Sequence, residues 1–180
     1  MSAFAAGEAF EADEVELRET VPADLPHLFR FQLDPEANRM AAFTAADPSD
    51  RAAFDARWGR ILDDPETVKR TVLVDGEVVG SVLLHTPWDV PDRREVAYWI
   101  AREHWGRGIA SRALAALLAE RPHRPLYARV AKDNHGSLRV LEKCGFVRCG
   151  EGGGHAAARG ETVEEWLLVL DRPAVGPPSR

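Results

Sequence analysis

The 180-residue chain reads as one mixed α/β domain, a central sheet with helices on its faces, and three observations predict it. Short segments of period-two or β-branched character alternate with segments whose apolar residues recur every three to four positions. Turn and cap residues punctuate the boundaries between them. The length is little more than that of one typical domain, and 45% hydrophobic and 29% charged residues are ordinary globular values. A chain of this size buries about two thirds of its unfolded surface.

Residues 1–14 are acidic and Ala-rich and read as a disordered tail. The domain itself is expected over 15–170, followed by a flexible Pro-rich tail over 171–180. Glu16–Thr20 reads as a short strand, and Pro22–Phe31 as a helix with Leu25, Leu28 and Phe29 on one face. Asp34, Glu36, Asn38 and Arg39 read as a polar loop. Asp47 and Pro48 then suit the N-cap and first position of a helix whose buried stripe is Phe54, Trp58, Ile61 and Leu62. Two β-branched runs, Thr71–Val74 and Val78–Leu84, are joined by Asp75-Gly76, a strong hairpin signal. Glu95–Ala101 is a further strand, and Gly108–Glu120 a helix pairing Ile109/Ala110, Ala113/Leu114 and Leu117/Leu118 at intervals of four. Leu126–Ala131 is strand-like, and Ser137–Lys143 a helix ended by Gly145. Phe146–Cys149 and Thr162–Leu170 complete the strands around Gly150–Gly160, read as a mobile loop because it holds five glycines.

Composition narrows the function. The longest apolar run, Ala113–Ala119, is far below the roughly 20 residues of a membrane span. No basic, then apolar, export signal opens the chain, so a cytoplasmic location is expected. Two cysteines make neither a disulfide framework nor a zinc ligand set. The net charge of −6 is unevenly spread: residues 1–90 carry −10 and 91–180 carry +4. Between Arg102 and Arg148, ten Lys/Arg face four Asp/Glu, an excess that attracts phosphates. Nucleic acid is not the expected partner, because the whole chain is acidic and lacks a basic stripe interleaved with aromatics.

The chemistry points to Ile100–Arg112, where a glycine-rich turn links a strand to a helix. Unpaired N–H groups converge there at the positive end of the helix dipole, an anion site. Gly106 and Gly108 let the main chain approach a phosphate, and Ala110 keeps the first turn slim. No Gly-Lys-Ser/Thr follows, which excludes a Walker loop. A dinucleotide fingerprint would want an acidic residue about 20 positions on, and Asp133 is the nearest at the end of the next strand, further along.

These residues resemble the GNAT superfamily of acyl-CoA-dependent N-acetyltransferases, over roughly 15–170. Gly108 and Ala110 match the family's pyrophosphate loop, with Trp105 in its Arg/Gln position, a tryptophan similar to the branch of ribosomal-protein N-terminal acetyltransferases. Asn134-x-x-Ser137 followed by Glu142-Lys143-x-Gly145-Phe146 resembles that branch's second signature. Asp75–Gly80 and Glu95-x-x-Tyr98-Trp99-Ile100 resemble the family's second hairpin and fourth strand.

The resemblance implies a mostly antiparallel sheet whose fourth and fifth strands splay apart. It implies acetyl-CoA as cosubstrate, without a metal, and an amine acceptor. Backbone amides of Arg107, Gly108, Ile109, Ala110 and Ser111 would hold the pyrophosphate, and Trp99, Ile100 and Ala101 would border pantetheine. Asn134 would contact the amide-bearing arm, or serve as an N-cap. A homodimer is a further expectation.

Acetyl transfer needs a neutral amine, and a lysine near 10.4 loses about 4.6 kcal/mol to deprotonation at pH 7. Glu95 is the candidate base, directly or through water, the alternative being an exposed strand residue paired with Arg93 or Arg94. His85 is the second candidate. Relatives place an acid tyrosine where this chain has Leu141, and Ser137, one helical turn earlier, would donate to the leaving sulfur instead, or bond its own helix backbone. The missing tyrosine keeps a non-catalytic acyl-CoA binder as the alternative function.

Overall fold

The computed structural model describes residues 14–171, so both expected tails lie outside the described residues apart from the exposed Glu14 and Asp171. Along the chain run β1 (Val15–Glu19), α1 (Leu25–Gln32), α2 (Pro35–Ala41), α3 (Arg51–Asp63), β2 (Val68–Val74), β3 (Glu77–His85) and β4 (Glu95–Ile100). Then follow α4 (Ile109–Glu120), β5 (Leu126–Ala131), α5 (His135–Lys143), β6 (Val147–Ala156) and β7 (Glu161–Leu170).

The strands form one sheet in the order β1-β2-β3-β4-β5-β7-β6. Every neighbouring pair is antiparallel except β4 with β5, which are parallel and share the single register pair Glu95 and Tyr127. Below that contact the two strands diverge and leave a wedge. The hairpin at Asp75-Gly76 forms as its residues require, both at positive φ (51° and 80°), matching the twist of β2 and β3.

Period-two alternation on β4 divides the molecule. Val96 and Ile100 join the main core with Leu114, Leu117 and Leu141 of α4 and α5, and Tyr98 packs against it. Trp99 packs on the other face with Leu28, Phe31, Phe54 and Trp58 of α1 and α3. Helices therefore cover both faces. Leu114 and Leu117 are almost wholly removed from water, each contributing about 2 kcal/mol.

Three expectations are corrected. Asp34, Glu36, Asn38 and Arg39 do not form a loop: the last three lie in α2 and Asp34 is its N-cap, accepting from the Ala37 amide at 2.8 Å, with Pro35 in the first turn. Asp47 does not cap α3: its carboxylate takes the Ser49 amide (2.8 Å) and hydroxyl (2.6 Å), and Asp50 caps the helix through the Ala53 amide at 2.9 Å. Proline after aspartate suits the second position of a turn as well as the first of a helix, and the turn wins. The glycine-rich stretch is strand, since β6 runs on to Ala156 against the long β7, with an irregularity between Arg148 and Gly150. Cross-strand pairing to a strongly β-forming partner overrides the weak preference of glycine. Both thiols are free, Cys144 buried and Cys149 exposed.

Candidate active site

The turn after β4 is built by local hydrogen bonds. The Ala101 amide donates to the Val79 carbonyl at 2.8 Å, and Trp105 Nε1 donates to the Ile100 carbonyl at 2.8 Å, so the tryptophan in the family's Arg/Gln position braces the end of β4. Gly108 then takes a left-handed conformation (φ 74°) immediately before Ile109 opens α4. A Cβ there would sit 3.2 Å from Arg112 Nη1, and an L side chain is strained at that φ wherever space exists. Arg112 in turn donates to the Arg107 carbonyl at 3.2 Å. The first-turn amides of Ile109, Ala110 and Ser111 have no acceptor within the helix, and all three residues line the main cavity.

That cavity encloses about 1230 Å³, above the usual range for a small ligand. It runs from the α4 N-terminus along the β4–β5 wedge. Trp99, Ile100, Gly108, Asn134, Ser137, Glu95 and His85 also line it, so the structure brings together ten of the twelve residues given a catalytic or cofactor role above. The exceptions are Ala101, buried in the α1–α3 core, and Arg107, which is exposed. Asn134 realises the capping alternative: its Oδ1 accepts the Ser137 amide at 3.0 Å and its Nδ2 donates to the Met40 carbonyl at 3.0 Å, tying α5 to α2.

Glu95 is not an exposed strand residue. It is 4% exposed, and Arg129 Nε donates to its Oε2 at 3.0 Å. Its other oxygen, Oε1, is buried without a hydrogen-bond partner among the described residues. Arg93 instead covers the Tyr127 ring at 4.6 Å, and Arg94 donates to the Glu66 carbonyl at 2.9 Å. His85 stands opposite Glu95 on β3 and lines the same cavity. Burial holds its imidazole below the usual range, against the opposing pull of Glu95.

Asp89 and Glu165 complete this end of the cavity. Arg129 Nη1 lies 3.5 Å from Asp89 Oδ2. The Glu165 carboxyl is raised above its ordinary value, first by burial and also by the nearby charges of Glu95 and Asp89, with Arg129 acting in the opposite sense. Sequence reasoning missed Asp89, Arg129 and Glu165, whose meeting depends on tertiary structure.

It also missed Tyr98. The Tyr98 hydroxyl lies 2.7 Å from Ser137 Oγ and 3.1 Å from the Ser137 carbonyl. The serine hydroxyl therefore has a partner across the wedge. Burial pushes the phenol above its ordinary range. Leu141, in the place of the relatives' tyrosine, is 1% exposed and packed in the core.

The sequence pattern of the acetyltransferase (GNAT) domain matches residues 14–147, well over half of the chain. The chain belongs to the GNAT acetyltransferase family. YdaF of Bacillus subtilis (strain 168), whose name marks it as a candidate ribosomal N-acetyltransferase, is 31% identical over 117 residues, 61% of this chain and 64% of that relative. The match thus spans just under two thirds of YdaF's length. Among solved structures, Mycobacterium smegmatis RimJ in complex with CoA-disulfide superposes with a TM-score of 0.76 at 21% identity, covering 92% of this chain and 86% of that one. Vibrio cholerae spermidine N-acetyltransferase in complex with CoA and spermine gives 0.74 at 19%, covering 88% and 95%. At these identities the structural likeness establishes the fold. Among the described residues of this GNAT protein, no helix is long and apolar enough to cross a membrane. Nor, among them, could any group of three or more His, Cys, Asp and Glu side chains hold a metal ion.

Proposed function

We propose that this GNAT-family protein is an N-acetyltransferase that moves the acetyl group of acetyl-CoA directly onto a primary amine, either a peptide or protein N-terminus or a small-molecule amine. The observation that carries the reading is one continuous cavity lined at one end by the open N-terminal turn of α4 and at the other by the buried carboxylate of Glu95. The amides from Arg107 to Ser111 hold the pyrophosphate, and Trp99 and Ile100 border the pantetheine arm, with Asn134 beside it; Ala101, buried in the α1–α3 core, supports the end of β4 instead.

Arg129 occupies Glu95 Oε2 and leaves Oε1 for the acceptor, so the amine binds Glu95 and gives up its proton to it or to a bridging water. Asp89, Glu95 and Glu165 outnumber Arg129, which favours a cationic acceptor. The names of YdaF, a candidate ribosomal N-acetyltransferase, and of the spermidine N-acetyltransferase are in keeping with such acceptors. Ser137 donates to the departing sulfur. We place the enzyme in the cytoplasm, as a monomer or a homodimer.

The buried Leu141 favours one competing reading, an acyl-CoA binder without turnover. A screen of N-terminal peptides, polyamines, amino acids and aminoglycosides for acceptor-dependent release of CoA decides between the two.

A further inference from the structure

Leu141 removes the phenol from α5, yet a phenol still reaches this part of the cavity from β4. Tyr98 and Ser137 stand 39 residues apart in sequence and meet at 2.7 Å, and both line the cavity. Tyr98 has one hydroxyl hydrogen and two acceptors within reach. Directed at the Ser137 carbonyl, it would make the serine hydroxyl donate back to the phenol, with nothing left for a ligand. Directed at Ser137 Oγ, it leaves the serine hydrogen free to turn into the cavity. The carbonyl already serves the α5 hydrogen-bond ladder, and the Oγ contact is the shorter, so the second arrangement is favoured.

We propose that Tyr98 is a positioning residue that fixes the Ser137 hydroxyl so that its hydrogen is presented to the sulfur leaving the thioester. This rests on the acetyltransferase reading above. The amine nitrogen bonds to the acetyl carbon and loses its proton toward Glu95. As the tetrahedral adduct collapses the C–S bond breaks, the electron pair goes to sulfur, and the thiolate accepts the Ser137 hydrogen bond until solvent protonates it. Tyr98 keeps its own proton throughout, because burial opposes a tyrosinate. It acts by geometry, whereas the tyrosine of relatives acts as an acid.

The test uses the full chain as wild type, Tyr98→Phe, Ser137→Ala and the double variant. Ionisation of the thiol of bound CoA is followed by thiolate absorbance, alongside kcat and KM for acetyl-CoA. A charge-assisted hydrogen bond of this kind predicts kcat losses of about 10- to 100-fold in each single variant, with KM unchanged. Each should also raise the pH at which the bound thiol ionises by about one unit. The double variant should be no worse than Ser137→Ala, because the two side chains act as one.

Wild-type thiol ionisation and kcat in Tyr98→Phe, beside an impaired Ser137→Ala, would overturn the role of Tyr98 alone. Unchanged values in Ser137→Ala would overturn it together with the role of Ser137. Failure of the wild-type protein to bind CoA would overturn the acetyltransferase reading beneath both.

Discussion

Arg129 Nε holds one oxygen of Glu95 at 3.0 Å while the other is buried without a hydrogen-bond partner among the described residues, in a side chain that lines the cavity. Burying a charge with half its acceptor capacity unmet is costly, and it persists only where the surrounding fold imposes it. That arrangement is the ground for proposing Glu95 as the centre of the acceptor end.

Glu95→Gln should lower turnover by roughly 10²- to 10⁴-fold, the scale of general-base catalysis. The loss should shrink as the pH rises from 7 to 9, because more of the acceptor is then already neutral. A rate equal to wild type across that range would move the role to His85 or to water.

Gly108→Val should abolish acetyl-CoA binding in calorimetry while the far-ultraviolet dichroism stays native. The branched side chain is strained at φ 74° and intrudes on Arg112 beside the first-turn amides. Unchanged affinity would show that those amides do not hold the pyrophosphate.

Glu165→Gln should stabilise the protein at pH 7. A carboxyl whose folded value is raised carries a penalty that is absent below its unfolded value and complete only above the folded one. The advantage of glutamine should therefore fade as the pH falls from the folded value toward about 4, in urea titrations at successive pH values. The same variant should bind cationic acceptors more weakly.

Asp24→Asn gives the opposite sign. Burial alone would raise this carboxyl, but bonds from Arg18 (2.6 and 2.7 Å), the Val21 amide (3.0 Å) and Thr71 (2.8 Å) hold it below its ordinary value. Its stabilisation is full above pH of about 4 and is lost as the pH falls through the folded value. The substitution should cost about 2 kcal/mol at pH 7 and progressively less as the pH is lowered below about 4, as read from unfolding midpoints.

The strands and the helices that flank the sheet were legible because their signals are local. The Asp75-Gly76 turn and the fours-spaced apolar pairs of α4 do not depend on distant residues. Gly145 likewise ends α5 at φ 92°, as its position suggests. Where local preference was weak, tertiary pairing decided. The glycines of β6 became strand only because β7 lies beside them, and Asp34-Pro35-Glu36 opened a helix with the same cap-and-proline pattern that at Asp47 made a turn.

The site divides in the same way. The proposed cofactor turn is contiguous, so its glycines and helix start can be read from local sequence. The proposed acceptor end is assembled from β3, β4, β5, β7 and the loop carrying Asp89, and no sequence spacing links Glu95 to Arg129 or Glu165. Tyr98 was visible only as part of a strand pattern; its partner on α5 is a property of packing.

Acceptor-dependent release of free CoA tests the central claim most directly. Acetyl-CoA is mixed with the enzyme and each member of an amine panel, thiol release is followed continuously, and the product is weighed by mass spectrometry. The account predicts one thiol released for each acetylated amine, with cationic acceptors preferred and Glu95→Gln strongly impaired. Tight binding of acetyl-CoA with no thiol release above the rate without acceptor, for any amine in the panel, would contradict it.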